Sequence, residues 1–110
     1  MSRHVEYRGE WTPNEFRVFR NGVPLAPEPS QALWNHSPDG FAWGYQGSGP
    51  AQLALALLYD VLRDRVFALE HYQAFKRAVV SRWPRCENWS ITSIDILKWM
   101  SLQLADANLN

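Results

Sequence analysis

Two stretches of this chain hold residue types that chemistry requires: the glycine-rich junction from Gly44 to Gln52, and the basic residues Lys76, Arg77, Arg82 and Arg85. A glycine-rich loop that opens a helix can cradle an anion, because backbone N–H groups converge there at the positive end of the helix dipole. Gly44 and Gly49 have the spacing of the outer glycines of a phosphate loop. That loop continues with lysine, which reaches the phosphates, and a hydroxyl residue, which holds magnesium. Pro50 and Ala51 stand in those places, and Pro50 has no N–H to offer. No Gly-x-Gly-x-x-Gly fingerprint is present. The simpler expectation is that Gly47 and Gly49 take backbone angles closed to other residues, with Pro50 starting a buried helix. An anion or nucleotide held by Gly47, Ser48, Gly49 and Gln52 is the alternative.

Other catalytic constellations are missing from the sequence. His4, His36 and His71 lie far apart and form no two-histidine helical pair, so no metal site is expected. His71 reads as a partly buried histidine beside an apolar stripe. Cys86 is the one cysteine, which rules out an internal disulfide and a cysteine-based zinc site. No histidine or helix start near it would activate the thiol. Ser48 sits in Gly-Ser-Gly, which is not the spacing of a nucleophile elbow. No catalytic residue and no cofactor is assigned, and enzymatic activity is not the expectation.

The basic cluster has no acid between His71 and Cys86, yet helical spacing spreads it over several faces. Eleven basic residues balance eleven acidic ones across the 110 residues. A neutral chain does not capture nucleic acid by charge alone, and it leaves self-association undiscouraged. Nucleic acid binding through Lys76, Arg77, Arg82 and Arg85 is therefore a secondary reading. The aromatic content is the more unusual feature, with six tryptophans, five phenylalanines and four tyrosines. Trp34, Trp89 and Trp99 are expected in the core, while Trp11, Trp43 and Tyr45 lie nearer turns. Trp43 and Tyr45, two apart, would share a face of an extended segment, with Phe41 beside them. Phe41, Trp43, Tyr45 and Trp11 are the protein-binding candidates, since aromatics with a polar edge anchor interfaces.

These residues need elements to hold them. The chain is long enough for one domain, with 46% hydrophobic and 20% charged residues. Residues 1–46 read as mainly strands and turns. "RHVEYR" alternates, and "FRVFRNGVPL" carries Asn21-Gly22, the pair that a tight hairpin turn favours. Phe16, Val18 and Arg20 fall on one face. "LAPEPS" reads as an irregular connector, and residues 31–45 as two short strands around the turn Ser37-Pro38-Asp39-Gly40. Residues 50–110 read as mainly helical. The first helix, rich in alanine and leucine, leaves only Gln52, Ala56, Asp60 and Arg63 for a polar face. A break falls near Arg63 to Arg65, where Asp64 can cap a second helix that Pro84 ends. "ENWSI" reads as a strand returning to the sheet. Thr92 and Asp95 form a weak capping box for a third helix, with Ile91 and Ile96 as its hydrophobic staple. The fold class is α+β, a small N-terminal antiparallel sheet packed against three C-terminal helices in a single domain.

The longest apolar run, Leu53 to Leu62, is about half of what a bilayer requires. Met1 to Glu10 is polar and charged, so no leader and no membrane association are expected, and a cytoplasmic location follows as the default.

The stretch "GFAWGYQGSGPAQLALALL" resembles the hallmark of a family of small proteins of unknown function found in bacteria, archaea, phages and plasmids. Trp43, Gly44, Tyr45, Gly47, Ser48, Gly49, Pro50, Ala51, Gln52, Leu53 and Ala54 match its motif. Gln46 stands where glycine is usual, so no left-handed angle is expected there. A looser similarity continues through "YQAFKRAVV" and Trp89-Ser90-Ile91-Thr92. The resemblance implies no established activity. It implies a mobile-element setting, and with it a small non-enzymatic module that binds a host protein or complex, an inhibitor of a defence system such as CRISPR among them.

Overall fold

In the computed structural model, which describes residues 4–109, two tight turns build the first three strands. Strand β1 (Glu6–Thr12) turns through Pro13-Asn14 into β2 (Glu15–Arg20), and β2 turns through Asn21-Gly22 into the two-residue β3 (Val23–Pro24). Asn21 and Gly22 have φ of 49° and 81°, the positive pair that matches a hairpin's twist. Pro24 cannot extend the ladder, and β3 stops there. Much later in the chain β4 (Trp89–Thr92) returns to pair with β1, completing an antiparallel sheet of order β3-β2-β1-β4. Tyr7, Val18 and Trp89 lie buried on its inner face.

Four helices complete the α+β fold: α1 (Glu28–Leu33), α2 (Ser48–Leu62), α3 (Arg65–Ala78) and α4 (Ser93–Leu109). Every residue of α2 from Gly49 to Leu58 is buried, as its alanine–leucine composition requires. Arg63, at φ 54°, closes α2 in a left-handed turn. The Asp64 carboxylate then accepts from the Phe67 N–H at 3.1 Å and opens α3. At α4 the capping box is reciprocal: Thr92 Oγ1 accepts from Asp95 N–H, and an Asp95 carboxylate oxygen accepts from Thr92 N–H, both at 3.1 Å.

The segment between β3 and α2 departs from the sequence expectation. The two short strands expected over residues 31–45 are absent, and α1 begins inside the expected connector. Pro27 and Pro29 fall at the start of α1, where a missing N–H costs nothing. The β-turn itself is present, with Gly40 N–H donating to Ser37 C=O at 3.2 Å. α3 also stops earlier than Pro84. It ends at Ala78, and a 3-10 turn over Val80–Arg82 follows, in which the Val80 carbonyl accepts from the Gly44 N–H at 3.1 Å.

Two tryptophans exchange their expected roles. Trp34, expected in the core, is 59% exposed, whereas Trp43, expected nearer a turn and a binding candidate, is 0% exposed. Trp43 packs edge-on against Phe16 and Trp89, with ring centroids 4.7 and 5.6 Å away. Its indole N–H donates to the Glu87 carbonyl at 3.1 Å, which satisfies the one polar atom that burial would otherwise penalise.

Candidate binding site

The polar face predicted for α2 is dry over its first half, at Gln52 and Ala56. Gln52 is 0% exposed, one turn into an otherwise apolar helix. Its carboxamide oxygen accepts from His36 N–H at 2.7 Å and Ser37 N–H at 3.0 Å. Its NH2 group donates to Ser30 Oγ at 2.9 Å and to the Trp34 carbonyl at 3.2 Å. A glutamine amide offers two donors and two acceptor lone pairs, and all four are engaged. Ser30 Oγ in turn donates to the Pro27 carbonyl at 2.9 Å, and Gln31 Nε2 donates to the Ser37 carbonyl at 2.9 Å. One buried side chain therefore fixes the backbone from Ser30 to Ser37. It replaces the strand pairing that this segment lacks.

The fixed turn presents Trp34 to solvent. Its indole stacks on the His36 imidazole, with centroids 5.9 Å apart and planes 28° from parallel. His36 Nε2 and the hydroxyl of buried Tyr72 are 2.6 Å apart. Burial and then the nearby Lys76 ammonium hold the imidazole below its ordinary pKa, so it is neutral at pH 7. Lys76 forms no ion pair among the described residues. The arrangement is an aromatic surface on a rigid turn, with an unpaired cation close to its inner edge. It suits recognition by contact; no group in it is placed as a nucleophile.

The residues singled out from the sequence are distributed differently. Trp43 and Tyr45 do not share a face. Gly44, at φ 83°, turns the backbone between them, sending Trp43 into the core and Tyr45 over the start of α2. Trp43 is thereby corrected as a protein-binding candidate, because its ring lies buried under the sheet. Phe41 and Tyr45 are half-buried and line a groove beside β2 with Phe16. Trp11 is half-buried in β1, and its N–H donates to Asn88 Oδ1 at 2.8 Å.

At the glycine-rich junction, the angle requirement falls on Gly44 rather than on Gly47 or Gly49. Gly47 has φ of −176°, extended backbone open to any residue. What Gly47 and Gly49 supply is room. A Cβ on Gly47 would stand 2.6 Å from the Tyr45 ring, and one on Gly49 would stand 2.6 Å from Ala42 Cβ and 3.1 Å from the Tyr45 hydroxyl. Tyr45 covers the first turn of α2, and Gln52 has no valence left for an anion. Ser48 is exposed there. Gln46, as expected, has no positive φ.

The basic residues are distributed over α3, the 3-10 turn and the loop that follows it. Lys76 and Arg77 lie in the last turn of α3, with Lys76 acting on His36. Arg82 ends the 3-10 turn, and the Arg85 guanidinium lies 4.6 Å over the Tyr45 ring. Cys86 is exposed and free. Among the described residues no group of three or more His, Cys, Asp or Glu could hold a metal ion, and no helix is long and apolar enough to cross a membrane.

Gln52 and Asp60 are the residues whose importance the sequence hid. Each was legible as a polar interruption of an apolar helix; neither the partners nor the burial could be read. Comparison with known proteins gives one match. The model of a family described as "Family of unknown function (DUF6166)" matches residues 7–102. No curated protein and no solved structure matches significantly.

Proposed function

We propose that this chain, which belongs to the DUF6166 family of unknown function, is a small non-enzymatic protein-binding module anchored by Trp34. One observation carries the reading: a tryptophan 59% exposed on a turn whose backbone is held by three hydrogen bonds to a buried glutamine. Interface energy concentrates in rigid aromatic anchors, and a turn ordered in advance loses little entropy on docking. The finer assignment is a host protein or complex met by a mobile element, with a defence complex such as CRISPR as the target class. Its support is the resemblance of the Trp43–Ala54 motif to phage and plasmid proteins. The neutral chain agrees with a partner chosen by shape rather than by charge.

The test compares the wild-type protein with Trp34→Ala. Partners captured from the host by the tagged wild type are identified by mass spectrometry, and their affinity for both forms is measured. A loss of about 2 kcal/mol, roughly 30-fold, is expected, with the melting temperature unchanged because the ring packs little. Equal affinities would exclude Trp34 as the anchor. A second reading, single-stranded nucleic acid stacked on Trp34, is favoured only by the proximity of unpaired Lys76. Retention of Trp34-dependent oligonucleotide binding that falls with salt would select it.

A further inference from the structure

A second surface lies along the free edge of β2, and its geometry follows from the ladder. Arg20 and Val23 flank the Asn21-Gly22 turn, and Leu25 N–H donates to the Val18 carbonyl at 2.9 Å. The even-numbered residues of β2 thus direct their N–H and C=O groups away from β1. β3 ends at Pro24, so nothing pairs with Phe16, whose N–H and C=O face outward with no backbone partner. Beside this edge runs a groove of about 450 Å³, walled by Phe16, Pro24, Leu25 and Phe41. It continues through Phe16, Asp39 and Phe41 into a more polar section of about 380 Å³ that Glu15 also lines. The Glu15 carboxylate is taken by Arg17 at 2.6 Å. Asp39 has no ion-pair partner among the described residues.

We propose that this edge and groove take an extended, basic segment of a partner protein by strand addition. The segment pairs its backbone with the N–H and C=O of Phe16. An apolar side chain enters between Phe16 and Phe41, and a lysine or arginine two residues along reaches the Asp39 carboxylate. Strand addition supplies affinity through the main chain and selectivity through alternate side chains. An unpaired acid beside a strand edge selects a basic residue and repels an acidic one. The proposal goes beyond the Trp34 reading and stands without it, since none of its contacts involves Trp34.

The experiment titrates isotope-labelled protein with terminally blocked heptapeptides, Thr-Lys-Thr-Val-Thr-Lys-Thr, in which a lysine lies two residues to either side of the central valine, and its Glu-for-Lys counterpart, followed by amide NMR. The lysine peptide is expected to shift the Phe16, Gly40 and Phe41 amides and to slow exchange of the Phe16 N–H. N-methylation of its central residue should weaken binding by about fivefold, the worth of the one net hydrogen bond it removes. Asp39→Asn, at an exposed position that leaves the fold intact, should reduce the preference for lysine over glutamate. Trp34→Ala should leave peptide binding unchanged, so failure here and failure of the Trp34 reading are separable. Absence of shifts, or equal binding of the methylated or acidic peptide, overturns the proposal. So does a concentration-dependent shift of the Phe16 amide without peptide, which would place a second copy of the chain on this edge.

Discussion

Gln52 concentrates more structural consequence in one side chain than any other polar residue here, because four groups depend on it at once. The His36 and Ser37 N–H groups and the Trp34 carbonyl are backbone atoms with no alternative ladder partner. Gln52→Leu keeps the volume nearly constant and removes every bond. We expect a loss of about 3 kcal/mol or more, the cost of several polar groups left unmatched, read from chemical denaturation. The loss should be accompanied by faster exchange of the His36 and Ser37 amides; a variant as stable as wild type, with those amides still protected, would refute the clamp. His36 gives a second test at this scale. Burial and Lys76 depress its folded pKa, so between its folded value and the ordinary 6.5 or so the unfolded chain binds the extra proton. Stability should therefore be full above that range and fall as pH drops through it. Lys76→Gln should raise the His36 pKa measured by NMR, by less than the full shift, since burial is the larger cause. An unchanged pKa would mean that the ammonium does not act on the ring.

At the scale of elements, close approach explains the glycine-rich motif better than dihedral freedom does. Gly49 opens α2 with Ala42 against it, so Gly49→Ala sets two methyl groups 2.6 Å apart. Overpacking of that kind costs about 1–3 kcal/mol. Ala42→Gly would remove the opposing methyl, so the double variant Ala42→Gly/Gly49→Ala should recover most of the loss in melting temperature. If the double variant is no better than Gly49→Ala alone, the contact is not the reason for glycine. The same contrast separates what the sequence revealed from what it hid. The Asn21-Gly22 turn, the Asp64 cap and the Thr92–Asp95 box were readable because each is a bond between residues at most three apart. α2 was readable because its composition allows only burial. Residues 31–45 were misread as two short strands because the backbone at Trp34, His36 and Ser37 is satisfied by a glutamine many residues away. For the same reason Trp34 was assigned to the core, and Trp43 rather than Trp34 was named a binding candidate.

The whole molecule is joined at Asp60, where the sheet meets α2. Its side chain is 11% exposed and takes Arg20 Nε of β2 at 2.7 Å and Arg63 at 3.3 Å. The hydroxyl of Tyr7, wholly buried on β1, donates to the same carboxylate. Two strands and the central helix thus share one anion, and the arginine on the inner face of β2 is explained by it. Burial first, then the hydrogen bond to Asp60, pushes the Tyr7 phenol well above its ordinary range. The consequence has a definite sign. Above a pH of about 10 the unfolded chain releases this phenolic proton, while the folded chain keeps it. The folded state then binds more protons than the unfolded one, and stability falls as pH rises. Below that pH the contribution is complete. Urea midpoints measured from pH 8 to 11.5 should fall for the wild type. Tyr7→Phe begins less stable, having lost the bond to Asp60, but it has no phenol to titrate at this position, so its midpoint should fall less steeply over the same range. Parallel curves for the two proteins would show that the alkaline loss arises elsewhere. The Tyr7–Asp60 bond would then hold the sheet to α2 without setting the pH at which they part.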